Sequence, residues 1–392
     1  MNISPRLSQI SPSLTLEITG KAKALKKDGV DIISFAAGEP DFDTPAHICA
    51  AARDAIDRGK TRYTPAKGMP ELINAVREKF KRDNNLDYPA SSIIISCGAK
   101  HSLFNAFQAI CREGDEVIIP SPYWVTYPEQ VRLAGAEPVF LESVEKAGFP
   151  IDRERLISLI TPRTRAMIVS SPANPSGSGY IRDDLEFLAE LALKNDFYLV
   201  SDEIYEKLVY DGFQANSIAS LSRDIQDRTI VINGVSKSYA MTGWRIGYLA
   251  APENVAKAIN SFQSHSTSGP ATPSQYAALA ALTGDQSCVE ERRRAFEERR
   301  DLIIGRLNSI DGISCTMPKG AFYAFPNISA LGKPSLELAA ALLDQARIAV
   351  VPGIAFGADG NIRMSYADSL DNLNKGLDRL EEYARLIFSG EK

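Results

Sequence analysis

The feature that most restricts the fold of this chain is an alternation of short apolar runs with amphipathic segments over its first two thirds. The runs are rich in β-branched residues and nearly continuous in apolarity, as expected of strands that helices cover on both faces. The alternation predicts an α/β domain with a mainly parallel sheet. The predicted strands are SIIIS (92–96), DEVIIP (115–120), EPVFL (137–141), RAMIVSS (165–171), FYLVSDE (197–203) and RTIVING (228–234).

The sequence changes character after Ala250. A long helical region is predicted from about Glu253 to Ile310, with an interruption at TSGPATPS. Short strands and helices follow, and their mixture predicts a second, smaller α+β domain. The predicted strands are GISCTM (312–317), AFYAF (321–325), IAVV (348–351) and NIRMSYA (361–367), and helices are predicted over 335–346 and 370–388.

The first forty residues contain no predicted strand, so we expect them to pack on the smaller domain or on a partner chain. The predicted boundaries are 1–44 for an arm with part of the small domain, 45–280 for a large domain and 281–392 for the small domain.

Composition argues against several classes of protein. The 392 residues carry a net charge of −5 and no long basic tract, which gives no support for nucleic-acid binding. No long uncharged apolar run could cross a membrane, and the N-terminus lacks a signal-peptide pattern, so a cytoplasmic protein is predicted. The five cysteines and three histidines are dispersed, which argues against metal catalysis. The densest basic run, EERRRAFEERRDL (290–302), predicts a solvated helix face with ion pairs.

Lys237 follows the predicted strand RTIVING within a run of small residues. A lysine reacts with a carbonyl group only as a neutral amine, which burial and nearby cations favour by lowering its pKa. Arg245 is a candidate for such a cation, and Gly234 and Gly243 would permit close backbone approach. Taken alone, a lysine that reaches solvent explains this stretch equally well.

Asp202 ends an apolar strand, where parallel α/β sheets bind their ligands. A buried carboxylate there needs a cationic partner, and a protonated pyridine nitrogen would serve. Tyr205 could donate to a phenolate-like oxygen on the same ring. For Asp202 taken alone, capping of the following segment is the favoured explanation.

Three further segments are weak evidence for a ligand site singly, but they support one when they are taken together with Lys237 and Asp202. IIISCGAKHSLFNAF is a strand, a small-residue turn and a helix start, which suits a phosphate group. SSPANPSG (170–177) follows a strand, although an Asn between prolines is ordinary in turns. In GNIRMSYAD, Arg363 lies on the opposite strand face from Ile362 and Met364, where it could grip a carboxylate; a surface arginine is the alternative. Jointly, these residues describe a pyridoxal phosphate site for an amino acid.

The chain resembles the fold-type I, class I aminotransferases over nearly its whole length, and within them the aspartate aminotransferases of the branch common in bacteria. The lysine signature is GVSKSYAMTGWRIG, and the other matching motifs, in family order around it, are AAGEPDFDTP, YTPAKGMPELINAV, PYWVTYPE, NPSG, SDEIYE and NIRMSYA. The resemblance implies a large domain with a mainly parallel sheet of the seven-stranded type, sandwiched by helices, plus a smaller α+β domain. It also implies pyridoxal 5′-phosphate as cofactor.

The resemblance implies roles for individual residues. Lys237 would hold the cofactor covalently and move the substrate proton, and Asp202 would pair with the pyridine nitrogen. Implied cofactor contacts are Asn174, Tyr205, Trp124, Ala99, Lys100, Ser236 and Arg245, with Tyr63 supplied by a neighbouring subunit. Implied substrate contacts are Gly38, Trp124, Asn174 and Arg363. A site completed by Tyr63 from a second chain implies a homodimer.

The family pattern also bears on the substrate. Lys100, with Ser13 and Thr15, favours the dicarboxylic pair aspartate and 2-oxoglutarate. Relatives that accept prephenate carry a lysine where this chain has Ser11, which argues against prephenate. Gly234 departs from the pattern, since many members place a phosphate-binding serine there.

The sequence bears on three other functions. An aminotransferase for aromatic or alanine-type donors stays open. A cofactor-fold regulator would need a DNA-binding domain, for which forty N-terminal residues are too few. A nicotinamide enzyme is disfavoured because SGSGYIR (176–182) lacks the third glycine of a dinucleotide fingerprint in register.

Overall fold

The computed structural model describes residues 4–143 and 148–389, in which helices and strands alternate over most of the chain. The strands are β1 (Ile33–Ser34), β2 (Ile93–Ser96), β3 (Glu116–Pro120), β4 (Glu137–Leu141), β5 (Thr164–Ser170), β6 (Tyr198–Asp202), β7 (Thr229–Gly234), β8 (Gly247–Ala250), β9 (Tyr323–Ala324), β10 (Ile348–Ala349), β11 (Val351–Pro352) and β12 (Ile362–Ser365). The α-helices are α1 (Pro5–Ser8), α2 (Leu14–Lys27), α3 (Ala46–Asp57), α4 (Pro70–Asn84), α5 (Ala99–Ile110), α6 (Thr126–Leu133), α7 (Arg153–Leu159), α8 (Arg182–Asn195), α9 (Arg223–Gln226), α10 (Glu253–Ser266), α11 (Thr272–Thr283), α12 (Ser287–Leu307), α13 (Ser335–Gln345) and α14 (Leu370–Ser389).

A seven-stranded sheet in the order β2-β8-β7-β6-β5-β3-β4 confirms the predicted α/β architecture. The pairs β7–β6, β6–β5, β5–β3 and β3–β4 are parallel, and β8 is antiparallel to both of its neighbours. All six strands predicted for the first two thirds are present, and β8 is an additional strand that the apolar runs did not predict.

Alternate side chains of the sheet enter separate cores, which explains the nearly continuous apolarity of its strands. Ile93 and Ile95 pack with helices α3, α4 and α11, whereas Ile94 points to the opposite face and packs with α5 and α10. Burial of each such side chain contributes about 1.5–3 kcal/mol relative to its exposure. Because both faces are covered, a polar side chain in β2 needs a buried partner, and Ser96 at its end donates to the Gln263 side chain at 3.0 Å.

The C-terminal part forms a second, smaller arrangement of strands and helices. β11, β12 and β9 make a three-stranded antiparallel sheet, against which α12 and α14 pack in a shared core. The N-terminal segment joins this part, because Ile33 and Ser34 pair in parallel with Ile348 and Ala349. Helix α2 and strand β1 therefore pack on the smaller part as expected, whereas α1 and Ser11 lie against α6 of the larger part. Strand β1 was not predicted, and it belongs to a two-stranded sheet with β10. The domain boundaries at 44/45 and 280/281 remain a proposal.

Several predicted strands of the smaller part were too long. GISCTM is reduced to one backbone bridge, between Ser314 and Asn327. At the next residue the Asn308 side chain donates to the carbonyl of Cys315 at 3.0 Å and accepts from its N–H at 2.7 Å, in place of a strand. IAVV is two strands that belong to different sheets, and AFYAF is regular only at Tyr323–Ala324.

The basic run lies on α12, where Arg293 pairs with Glu290 and Glu297 as predicted. Arg292 and Arg300 depart from the prediction because they turn inward and are buried. Among residues 4–143 and 148–389, no helix is long and apolar enough to cross a membrane.

Candidate active site

A cavity of about 690 Å³ opens at the carboxyl ends of the central strands and is closed on the other side by β12 and the N-terminal segment. Most of the residues predicted for the site line it. Those residues are Thr15, Gly38, Ala99, Lys100, Trp124, Asn174, Asp202, Tyr205, Ser236, Lys237, Arg245 and Arg363. Chain positions as far apart as 15 and 363 therefore meet in one space.

Lys237 follows β7 and its amine faces the N-terminal segment, where Nζ donates a hydrogen bond to the Gly38 carbonyl at 2.5 Å. Burial, with a further contribution from the charge of Arg363, lowers the pKa of Lys237 to about 8. Glu39 opposes this shift, and Arg245 adds to it less than Arg363 does. The predicted cation is thus present, but the larger contribution comes from an arginine 126 positions along the chain rather than from the neighbour eight residues on.

Two glycines bring the strands beside Lys237 into close contact. Gly234 faces Gly247 across the β7–β8 pair, and a Cβ at Gly234 would lie 3.1 Å from the Gly247 Cα. A Cβ at Gly247 would collide with the backbone nitrogen of Ala99 at the start of α5. The expectation for Gly234 is confirmed, whereas that for Gly243 was wrong, because a Cβ at Gly243 meets no atom within 4 Å.

Asp202 is the last residue of β6 and is 5% exposed. Its Oδ2 accepts a hydrogen bond from the Tyr127 hydroxyl at 2.7 Å, and its Oδ1 accepts one from the Ile204 N–H at 3.3 Å. Burial raises the pKa of Asp202, while these hydrogen bonds and the charge of Lys237 act in the opposite direction. Both hydrogen-bond donors are neutral, so the carboxylate is suited to a cationic N–H in the cavity.

Arg363 lies within β12 and is 1% exposed, which excludes the surface-arginine alternative. One terminal nitrogen donates to Asn174 Oδ1 at 3.0 Å, and the other donates to the Ala36 carbonyl at 3.0 Å. The guanidinium stacks over the Tyr323 ring, 4.5 Å from its centroid. Within the described residues its buried Nε has no partner. A buried cation with an unsatisfied N–H can bind a carboxylate strongly.

Tyr205 and Tyr323 share a hydrogen bond, with 2.9 Å between their hydroxyl oxygens. Burial raises the pKa of Tyr205 well above its ordinary value, so the hydroxyl keeps its proton and can donate. Its ring lies 5.8 Å from the Lys237 amine, which places the predicted lysine and tyrosine at one end of the cavity.

The part of the cavity at the start of α5 has the features of an anion site. Helix α5 begins at Ala99, directly after Gly98 in a positive-φ conformation (φ 88°), and no side chain caps the helix. Its first N–H groups and its dipole favour a negative charge. Arg245 adds a guanidinium here, held by a hydrogen bond from its NH1 to the Thr242 carbonyl at 2.8 Å, and buried Ser236 lines the same space.

Lys100 extends over the Trp124 ring, with 4.9 Å between its amine and the ring centroid. Burial and the charge of Arg245 lower the pKa of Lys100. Trp124 in turn meets Tyr127 edge to face, with 5.5 Å between their ring centroids. A lysine and an aromatic platform thus lie next to the anion site, as the family pattern implied.

Of the predicted residues Ser11, Ser13, Thr15 and Tyr63, one lines the cavity and the others lie outside it. Thr15 lines the cavity, and its buried hydroxyl has no partner within the described part of the chain. Ser13 precedes α2 without capping it and does not line the cavity. Ser11 lies outside as well, where its N–H donates to Glu129 at 3.2 Å. Tyr63 is 99% exposed and lies apart from the cavity of its own chain.

Sequence reasoning missed four residues that organise the site: Tyr127, Tyr323, Glu39 and Ala36. Tyr127 lies three residues after Trp124 in the motif PYWVTYPE, so helical spacing could have identified it. Tyr323 and Ala36 act through contacts with Arg363 that join distant parts of the chain and leave no local signal.

Comparison with known proteins gives consistent results. The sequence pattern of the class I and II aminotransferases matches residues 30–380. The chain is 48% identical to an aspartate aminotransferase of Bacillus sp. (strain YM-2) over 98% of this chain and 99% of that protein. It is 46% identical to an aspartate/prephenate aminotransferase of Thermus thermophilus over 98% of both chains. A Thermus thermophilus aspartate aminotransferase structure with maleate superposes with a TM-score of 0.94 and 46% identity, covering 97% of this chain and 99% of that one.

Proposed function

The chain belongs to the class I and II aminotransferase family, and from that premise we propose that it transfers the amino group of L-aspartate to 2-oxoglutarate, giving oxaloacetate and L-glutamate. The observation that carries the proposal is the arrangement of Lys237 and Arg363 in one cavity. A buried arginine with an unsatisfied N–H suits the α-carboxylate of an amino acid. An amine with a pKa of about 8 suits proton transfer near neutral pH.

The residues fit pyridoxal 5′-phosphate as cofactor. When bound, this group supplies an aldehyde that accepts the amino group and a ring that withdraws electrons from the substrate. The donor set supports its binding, because a buried carboxylate without a cationic hydrogen-bond donor, Asp202, lies in the same cavity as the uncapped start of α5. Asp202 would hold the ring nitrogen, and Tyr205 with Asn174 would donate to the ring oxygen.

The remaining proposed contacts are to the face of the cofactor ring and to its phosphate group. Trp124 would stack on the ring, which its position beside Lys100 supports. The phosphate would be held by Ala99, Lys100, Ser236 and Arg245, with Tyr63 from a second copy of the chain. A homodimer follows from this proposal, and the almost complete exposure of the Tyr63 side chain supports it. We also propose that the enzyme works in the cytoplasm.

Lys237 performs the proton transfer in this scheme. Its amine must be neutral to take a proton from the α-carbon of the substrate, and the lowered pKa makes a sizeable fraction neutral near pH 8. The protonated lysine would then deliver this proton to the cofactor carbon that is bound to the transferred nitrogen. Gly38, whose carbonyl accepts a hydrogen bond from this amine, would help to fix its position and that of the substrate carboxylate.

Substrate choice rests on the side chains beyond the cofactor contacts. Lys100 would bind the second carboxylate of aspartate, aided by the unpartnered Thr15 hydroxyl and by Ser13. The maleate bound by the Thermus enzyme is itself a dicarboxylate, which supports this assignment. An aromatic or alanine-type donor is the alternative. Prephenate is disfavoured because Ser11 provides no charge.

The test begins with the visible spectrum of the protein loaded with cofactor. Lys237→Ala is expected to lose the absorbance of the lysine-bound cofactor and nearly all turnover, whereas Lys60→Ala, at an exposed lysine, is the matched control. Titration of the wild type with aspartate should shift the spectrum to that of the amino form of the cofactor. A donor panel with 2-oxoglutarate should rank aspartate above phenylalanine and alanine; the opposite ranking rejects the dicarboxylate assignment.

A further inference from the structure

Helix α2 (Leu14–Lys27) forms one wall of the cavity and presents two lysines to it. Ala22 packs into a small apolar core with Phe325 and Leu343, and this packing fixes the rotation of the helix. The face that lines the cavity carries Thr15, Leu16, Thr19, Ala22, Lys23 and Lys26. The spacing is that of one helical stripe, which runs along the wall and ends in the two ammonium groups.

These two lysines have no structural role within the described residues. Lys23 and Lys26 are exposed, and neither has an ion-pair or hydrogen-bond partner between residues 4 and 143 or 148 and 389. On the same helix, by contrast, Lys21 approaches Asp344 at 4.0 Å. Lys26 lies in the last turn, where the helix dipole favours a cation, but this effect does not reach Lys23.

The spacing of the pair is suited to an anion with more than one charge. Residues three apart on a helix are neighbours on its surface, with Cβ atoms about 5–6 Å apart, and side chains of like charge at such positions repel. An anion between them relieves the repulsion, and a dianion does so more than a monoanion. Lys23 and Lys26, at the mouth of the cavity, should therefore attract an entering acid more strongly when it carries more negative charge.

The charges around the whole cavity favour the same ligands. The cationic side chains that line it are Lys23, Lys26, Lys100, Lys237, Arg245 and Arg363. The acidic ones are Glu39, Asp202 and Asp368. Cationic side chains thus outnumber acidic ones in the lining by six to three, Asp202 is buried, and the residues of α2 that line the cavity include two lysines and no acidic residue.

We propose that Lys23 and Lys26 form an entry site that gathers dicarboxylic acids at the mouth of the cavity before they reach Arg363 and Lys100. This assignment deepens the proposed function and rests on it. The two lysines select by charge, since a dicarboxylate is attracted first by them at the mouth and then by Arg363 and Lys100 inside the cavity. Neither lysine contacts a reacting atom in this proposal. Clefts lined by one sign of charge raise the local concentration of an oppositely charged ligand, and this effect falls with ionic strength.

The experiment compares Lys23→Gln/Lys26→Gln with Lys21→Gln/Lys27→Gln, which removes the same charge from the same helix away from the cavity. At low ionic strength, kcat/KM for aspartate should fall about three- to tenfold in the first variant, through KM. The loss for alanine should be smaller, and high salt should abolish the difference between variant and wild type. Equal losses in the two double variants, or an unchanged salt dependence, would overturn the proposal.

A binding measurement separates this proposal from the aspartate assignment. Calorimetry of the cofactor-loaded protein with maleate and with crotonate, a monocarboxylate of equal chain length, needs no turnover. The Lys23→Gln/Lys26→Gln variant should lose the salt-dependent part of maleate binding and keep crotonate binding. If the wild type fails to use aspartate but this difference is present, the aspartate assignment is wrong and the entry site stands. If aspartate is used and the difference is absent, the entry site is rejected alone.

Discussion

The Tyr127 hydroxyl donates a 2.7 Å hydrogen bond to Oδ2 of Asp202, and both side chains are buried. This contact joins the start of α6 to the end of β6 and orients the carboxylate that we assign to the ring nitrogen of the cofactor. It also keeps the pKa of Asp202 from rising further, because hydrogen bonding to the charged form favours that form.

Tyr127→Phe should weaken the site while leaving the fold intact. Loss of a hydrogen bond to a charged group costs about 1.5–3 kcal/mol, so cofactor affinity and kcat/KM should each fall at least about tenfold. Cofactor affinity is measured by tryptophan fluorescence and kcat/KM by steady-state assay. Tyr123→Phe is the control, since Tyr123 stacks on Phe140 and does not touch Asp202. Similar losses in both variants would show that the hydroxyl at 127 has no special part.

Lys237 should make the cofactor-free protein less stable at neutral pH than it is at high pH. Its pKa of about 8 in the folded state lies below the ordinary 10.5. Below pH 8 both states carry the proton, and the folded state bears the cost of a buried charge. Between pH 8 and 10.5 the unfolded state keeps the proton while the folded state loses it, so stability rises with pH.

Lys237→Met removes this cost. In urea unfolding of the cofactor-free protein, the variant should be more stable than the wild type by about 1–2 kcal/mol at pH 7, and the gap should narrow by pH 10. Lys60→Met, which makes the same replacement at an exposed lysine, is the matched control. A gap that is constant with pH would contradict the assigned pKa.

Arg363→Lys should impair substrate binding although the charge is retained. A lysine cannot donate to Asn174 and Ala36 at once while stacking on Tyr323, and it offers no fork to a carboxylate. KM for aspartate should rise about tenfold or more, which a steady-state assay measures. Arg379→Lys, where the arginine pairs with Asp31 near the surface, is the matched control. A normal KM in Arg363→Lys would remove this residue from the binding role.

Gly247→Ala and Gly305→Ala should change stability in opposite directions. A Cβ at 247 collides with the start of α5, which should cost about 1–3 kcal/mol and weaken cofactor binding. A Cβ at 305 in the interior of α12 meets no atom within 4 Å, so the gain in helix propensity should stabilise the protein by about 0.5–1 kcal/mol. Urea unfolding of both variants measures the difference. Equal effects would mean that the close approach at β8 is not rigid.

Lys100→Ser should alter the choice of donor. The ratio of kcat/KM for aspartate to that for alanine should fall, because only aspartate carries a second carboxylate for the amine to bind. The ratio within one variant cancels any general loss caused by the position of Lys100 near the phosphate end. An unchanged ratio would assign Lys100 to the phosphate alone.

The large sheet was predictable because its strands are buried on both faces and therefore nearly continuous in apolarity, as in the Ile-Val-Ile run of β7, whose six residues are all buried. The strand Ile33–Ser34 was not, because two residues become a strand only through pairing with Ile348–Ala349, more than 300 positions away. GISCTM failed for a related reason, since the Asn308 side chain occupies the backbone groups of Cys315 that a strand would have used. Local pattern does not encode such long-range or side-chain partners.

The same distinction between local pattern and distant contacts applies to the candidate site. Lys237 and Asp202 could be proposed from sequence because each ends a buried strand. Burial, the largest cause of the lowered pKa of Lys237, was predicted, but the cation that adds most to it was not, because the charge of Arg363 reaches Lys237 only after the two parts of the chain have packed together. The Tyr205–Tyr323 contact is of the same kind.

The glycine contact between β7, β8 and α5 has a consequence for how this protein can diverge. At that contact, backbone meets backbone, so a side chain added at Gly247 has no space that neighbouring side chains could yield. The opposite wall is the exposed face of α2, where a side chain such as Leu16 or Lys23 can be replaced without a steric clash, although the affinity for anions changes with it. Mutations on α2 can change the lining of the cavity while the fold is kept, whereas a larger side chain at the β7–β8–α5 contact disrupts the cavity. Descendants of this chain can therefore acquire new acids as substrates while they inherit the same chemistry.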